Sequence, residues 1–148
     1  MSIETGVVLD YNWNVIYWHL PLGRSGGYLP DSRDLWNVIW ENRENVMAVA
    51  HSHPEGIIEP SGTDITTFAA IEAGLGKLLL WPILTGSEVA IYKRYFKIDN
   101  AYNKIAYVND GNFAEAKNFI FDEIKCLWIT ELREKSNFES VGYLSHGK

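Results

Sequence analysis

The chain has 148 residues, 47% of them hydrophobic and 14% aromatic, and a net charge of −6. That length fits one domain with a sizeable core, and 22% charged residues argues against global disorder. No Lys/Arg stripe is present, so nucleic acid is not an expected ligand, and the single cysteine, Cys126, excludes an intramolecular disulfide or a multi-cysteine zinc site.

Val7 to Leu9 and Val15 to Trp18 read as two β-rich runs around the turn Asp10-Tyr11-Asn12. Residues 21–31 form a loop punctuated by Pro21, Gly23, Gly26, Gly27 and Pro30. Asp31 or Ser32 then caps a helix carrying Leu35, Trp36, Val38, Ile39 and Trp40. Val46 to Ala50 has the length of a buried strand and ends directly on His51. A Pro- and Gly-rich loop over 54–63 leads into a helix through Phe68, Ile71 and Leu75, with Gly74 and Gly76 as its stop. Two further strands are expected over Leu78–Leu84 and Val89–Ile98, joined near Gly86, followed by a polar, irregular segment over 99–112. Asn112 and Glu115 resemble a capping box opening a long helix over residues 112–135. Residues 1–136 are read as one domain and 137–148 as a flexible tail. The apolar run Lys77–Leu84 is too short to span a bilayer, and the opening MSIETG lacks the regions of a secretory signal. A cytoplasmic protein without a membrane partner is expected.

Strands and helices alternating in this order indicate an α/β or α+β domain, a central mixed sheet flanked by helices. The run His51-Ser52-His53-Pro54, then Pro60-Ser61 and Asp64, sits at the end of a central strand and enters a helix N-terminus, where open sheets place their sites. Side-chain alternation sends His51 and His53 to one side and Ser52 to the other. Two imidazoles and a carboxylate are suitable zinc donors that leave a fourth position open, beside which Ser61 would lie. Both Asp64 and Ser61 have plain alternative roles as helix-cap or turn residues. His19 and His146 fall in no motif and are expected at the periphery; Trp13, Trp36 and Trp40 are read as core rather than interface.

The stretch HSHPEGIIEPSGTD resembles the signature of the JAMM/MPN metalloproteases, His-x-His-Pro followed by Pro-Ser-x-x-Asp. The resemblance extends over residues 4 to about 98 and implies a JAMM/MPN, cytidine-deaminase-like architecture. It implies one Zn2+ per chain held by His51, His53 and Asp64, with Ser61 stabilising the tetrahedral intermediate. The family places a glutamate at the start of the first strand as general acid/base. Glu4, in Glu4-Thr5-Gly6-Val7, is similar to that glutamate, with Val7 where a second glycine is usual. Glu41, Glu44, Glu55 and Glu59 are the rival carboxylates. The implied activity is hydrolysis of an isopeptide or peptide bond in a protein or peptide partner, ubiquitin-like modifiers and protein tails being the substrate classes. The alternative is a non-cleaving, zinc-containing binding or assembly module, as in phage tails. A nucleotide deaminase is disfavoured because position 53 is not glutamate and no cysteine pair follows. The related RadC proteins fit less well, since no basic patch is present.

Overall fold

The computed structural model describes residues 3–95, 101–109 and 127–138. A six-stranded mixed sheet runs in the order β2-β1-β3-β4-β5-β6. Its strands are β1 (Gly6–Asp10), β2 (Val15–His19), β3 (Val46–Ser52), β4 (Trp81–Leu84), β5 (Glu88–Lys93) and β6 (Asn103–Asn109). Helix α1 (Arg33–Glu41) follows β2, α2 (Gly62–Leu75) joins β3 to β4, and α3 (Leu127–Lys135) closes the described chain. Because α2 is a crossover, β3 and β4 are parallel, whereas every other neighbouring pair is antiparallel.

Both faces of the sheet are covered. Val8, Val46, Ile83 and Ala90 pack with Leu35 and Ile39 of α1 and with Phe68 and Ile71 of α2. Val7, Leu9, Ala48, Ala50 and Ile91 pack on the opposite face with Trp128, Ile129 and Leu132 of α3. The alternation of Val7, Val8 and Leu9 between the two clusters is the pleat of β1 read directly. A register shift between Leu9 and Asp10 leaves Met47 outside the pairing, so Val46 and Ala48 face opposite layers.

Helix α1 starts at Ser32, whose side chain accepts the Leu35 N–H, and α2 stops at Gly76, which takes φ of 72°. Asp10 closes the β1–β2 turn by accepting the Asn12 and Asn14 amides, with Trp13 at φ of 62° and its ring stacked on Trp128. Trp36 packs against the core, while Trp40 is 53% exposed beneath the Arg43 guanidinium.

The segment read as irregular over 99–112 contains β6 instead. This is an edge strand of which only Val108 is buried, so its sequence carries almost no hydrophobic alternation and propensity alone cannot reveal it. Strand β5 ends at Lys93, short of the expected Ile98. The proposed helix start at Asn112 and most of the proposed tail lie outside the described residues. Phe138, the last described residue, donates its amide to the Arg133 carbonyl and has its ring against Gly86. No helix among the described residues is long and apolar enough to cross a membrane.

Glu72 is a buried charge on α2, 1% exposed. Its two oxygens accept from the Leu79 amide, the Trp81 indole, Arg94 Nε and the Tyr102 hydroxyl at 2.7–2.9 Å. A carboxylate so enclosed is tolerable only with such a full complement of donors. Replacing it by Leu is expected to cost about 3–5 kcal/mol in urea unfolding, because the donors it satisfies stay buried.

Candidate metal centre

Strand β3 delivers two imidazoles to one place because it is held on both edges at its final residues. The Ser52 amide donates to the Thr5 carbonyl on the β1 side, and the His53 amide donates to the Leu84 carbonyl on the β4 side. Pleating then turns His51 and His53 toward the face covered by α1 and α2, where Phe68 meets the His51 ring edge-on at 6.0 Å between centroids. Both rings are buried, 7% and 4% exposed.

The third donor comes from α2. Ser61 is its N-cap: the Ser61 hydroxyl accepts the Asp64 amide at 3.0 Å, and Asp64 Oδ2 accepts the Ser61 amide at 2.9 Å. This reciprocal capping box fixes the carboxylate. The same Oδ2 lies 3.2 Å from His51 Nε2 and 3.0 Å from His53 Nε2, and the two Nε2 atoms are 2.9 Å apart. The cap and ligand readings of Asp64 are therefore compatible.

These three atoms fit a metal ion. Tetrahedral bonds of about 2.0–2.1 Å set neighbouring donors about 3.3 Å apart, close to the spacings observed. The tautomers agree as well. His53 Nδ1 lies 2.7 Å from the Ile57 carbonyl, which can only accept, so Nδ1 carries a hydrogen and a neutral His53 presents a lone pair at Nε2. That lone pair faces a second imidazole nitrogen and a carboxylate oxygen, an arrangement that calls for a cation or a hydrogen between them. Burial alone would raise the Asp64 pKa, but with no ion bound and the facing ring nitrogens carrying hydrogens, hydrogen bonds from His51 and His53 hold the carboxyl far below the usual carboxylate range. Burial works against charging His53, yet Asp64 and the Ile57 carbonyl raise its pKa. Among the described residues, His51, His53 and Asp64 form the one His/Cys/Asp/Glu group able to hold a metal.

Glu4 reaches the same face by strand arithmetic. Gly6 pairs with His51 on one side and His19 on the other, and Glu4 lies two residues before Gly6. Its amide donates to the Ser25 carbonyl at 2.8 Å, and its carbonyl accepts from Arg24 Nη1. The side chain is 8% exposed and lines one cavity with His51, His53, Ser61 and Asp64. Among the described residues no hydrogen-bond partner is found for its carboxylate. Burial pushes its pKa up to about 7, with His53 opposing and Asp64 and Glu55 adding to the rise. Of the rival carboxylates only Glu55 joins this cavity, and it is exposed; Glu41, Glu44 and Glu59 do not line it.

The opposite face of the sheet locks these parts together. Thr5 and Ser52 point away from the donors, and the Ser52 hydroxyl accepts the Thr5 amide at 2.9 Å. Ser136, just after α3, lies 2.9 Å from the Ser52 hydroxyl and donates to the Leu132 carbonyl. Thr5, Ser52 and Ser136 are fully buried. The residue after Glu4, the residue between the two histidines and the end of α3 thus share one buried hydrogen-bonded contact.

His19 corrects the sequence reading. Expected at the periphery, it is 4% exposed, donates from Nε2 to the Pro30 carbonyl at 2.7 Å and lines the cavity. Burial lowers its pKa. The available signal was its cross-strand position: a Cβ on Gly6 would sit 3.1 Å from that of His19, so the absent side chain makes room beside it. Arg24 and Tyr28 separate in role. Arg24 supports the backbone of Glu4 and the Thr5 hydroxyl, whereas Tyr28 is 60% exposed at the cavity mouth. His146 lies outside the described residues.

Residues 12–97, more than half of the chain, match the family described as prokaryotic homologs of the JAB domain. The match includes His51, His53, Ser61 and Asp64 and begins after Glu4. No curated relative matches the chain.

Glu4 generates a pH test. Its folded pKa lies above the unfolded value of 4.5, so the folded state binds the proton more tightly. The penalty of charging it is absent below that unfolded value and grows as pH rises to about 7. In metal-free protein, the melting temperature of Glu4→Gln minus that of the parent should increase between pH 5 and pH 8. A constant difference would show that Glu4 is not buried in this way.

Proposed function

The chain belongs to the prokaryotic JAB-domain family, and from that membership and the donor geometry we propose that it is a zinc-dependent peptidase. Its reaction is hydrolysis of an isopeptide or peptide bond in a protein substrate, releasing a ubiquitin-like modifier or trimming a protein tail. The supporting observation is one cavity that holds both the three convergent donors and a buried glutamate with a pKa raised to about 7.

His51, His53 and Asp64 would hold the ion, which when bound supplies a Lewis acid and lowers the pKa of coordinated water. The protein's own groups do the rest. Glu4, poised near neutrality, accepts a proton at its carboxylate and returns it to the leaving amine. Ser61 uses an oxygen lone pair for the Asp64 amide, which leaves its hydroxyl hydrogen free to donate to a developing oxyanion. The Ile57 carbonyl keeps the His53 lone pair aimed inward. Pairing between Thr5 and Ser52 sets the depth of Glu4 relative to the donors.

A second reading, a metal-containing module that binds without cleaving, draws on the position of Glu4 outside the family match. Substrate panels separate the two. Zinc-loaded parent protein is expected to cleave members of a set of linear and branched peptides, and Glu4→Gln should retain one zinc per chain while losing turnover. Turnover by Glu4→Gln at the parental rate would remove Glu4 from the mechanism; an inactive parent that holds zinc would favour the binding module.

Ser61→Ala tests two roles at once. Loss of the cap should cost about 1 kcal/mol in stability, and loss of the oxyanion donor should lower kcat by about 10²–10³. A variant that shows only the stability change assigns Ser61 to capping alone.

A further inference from the structure

The cavity that holds the metal donors is about 380 Å3 and has a mixed polar and apolar lining. Glu4, Glu55, Ser61 and Asp64 line it together with the histidines, and so do the apolar Leu29, Leu35, Val49, Phe68, Ile71 and Trp81. Leu35, Phe68, Ile71 and Trp81 are 5% exposed or less, so the apolar surface left open beside the donors is mainly that of Leu29 and Val49. Val49 shows where it comes from. It lies two residues before His51 on the central strand and faces the helix layer, yet it is only half-buried. Its cross-strand partner Val8 and the nearby Ile83, on the same face, are 0% exposed.

α1 and α2 approach closely where the Trp36 ring lies 3.6 Å from the place a Cβ on Gly74 would take. Toward the donors, Leu35 of α1 and Thr67, Phe68 and Ile71 of α2 all contribute to the cavity lining. Gly6 contributes by omission, since it sits between His19 and His51 with no side chain to fill the row.

We propose that the apolar surface of this cavity around Val49 and Leu29 is a subsite for one aliphatic or aromatic side chain of the substrate polypeptide, from a residue next to the scissile bond. The inference rests on the reading that the substrate is a polypeptide and narrows it. The pocket continues directly from the donors, so whatever enters it belongs to the molecule held there. The cavity as a whole, donors included, lies within the range of small-molecule sites, about 300–1,000 Å3. Charge excludes the acidic alternative: the charged lining residues Glu4, Asp31, Glu55 and Asp64 are all carboxylates, and no Lys or Arg is among the lining residues. Glycine would leave the space unfilled.

The test measures binding, so it does not depend on turnover. Zinc-loaded Glu4→Gln is titrated with capped glycine-serine hexapeptides carrying a single leucine at each central position in turn, followed through the Val49 methyl signals. One leucine position is expected to bind about tenfold or more tightly than the leucine-free peptide and to shift those signals. Thr67→Phe, at a half-exposed helix position, and Val49→Phe should each keep zinc and bring the two peptides to near parity. Equal affinities, no detectable leucine-dependent binding, or a preference that survives both variants would overturn the subsite. If the parent cleaves nothing while the leucine preference holds, the peptidase reading fails and the subsite stands.

Discussion

Two imidazole nitrogens and one carboxylate oxygen within 2.9–3.2 Å of one another are the constraint around which this molecule is organised. Such a cluster is costly in a buried place unless positive charge lies at its centre, so the fold must hold the donors against their mutual repulsion when that charge is absent. It does so with backbone. β3 is pinned on both edges at Ser52 and His53, and α2 begins with a reciprocal cap that fixes Asp64 Oδ2. None of the three donors depends on a long, freely rotating side chain.

The proposed acid/base group is coupled to the same framework from behind. Glu4 precedes β1, and among the described residues no hydrogen bond to its own side chain fixes it; its position is inherited from Thr5, Ser52 and the Ser25 carbonyl. The end of α3 completes this arrangement through Ser136 and through the Lys135 carbonyl, which accepts from the Thr5 hydroxyl. A helix on the face opposite the donors thereby bears on the site, and its family match does not include it. Loop 21–31 acts in the same sense, with Arg24 bracing the backbone at Glu4 while Tyr28 reaches the cavity mouth.

The donors were legible in the sequence because their geometry is local. Alternation along a strand decides which side His51 and His53 share, and the spacing to a capped helix start brings Asp64 back. The β1, β2 and β3 runs were equally plain, being short and densely apolar. β6 was not legible, since an edge strand with one buried residue lacks the periodic signal of a half-buried one. His19 and Glu72 were missed for a related reason. Their burial is set by cross-strand rows and by donors distant in sequence, such as Arg94 and Tyr102, which no window along the chain can display. The apolar lining of the cavity likewise is gathered from a loop, two strands and two helices, not from any motif.

X-ray absorption at the zinc edge of the loaded protein addresses the central claim most directly. A first shell of nitrogen and oxygen at about 2.0–2.2 Å, with the outer-shell scattering of two imidazoles, is the predicted result. A sulfur shell at about 2.3 Å, or a spectrum lacking the imidazole signature, would place the metal elsewhere in the chain and contradict the account.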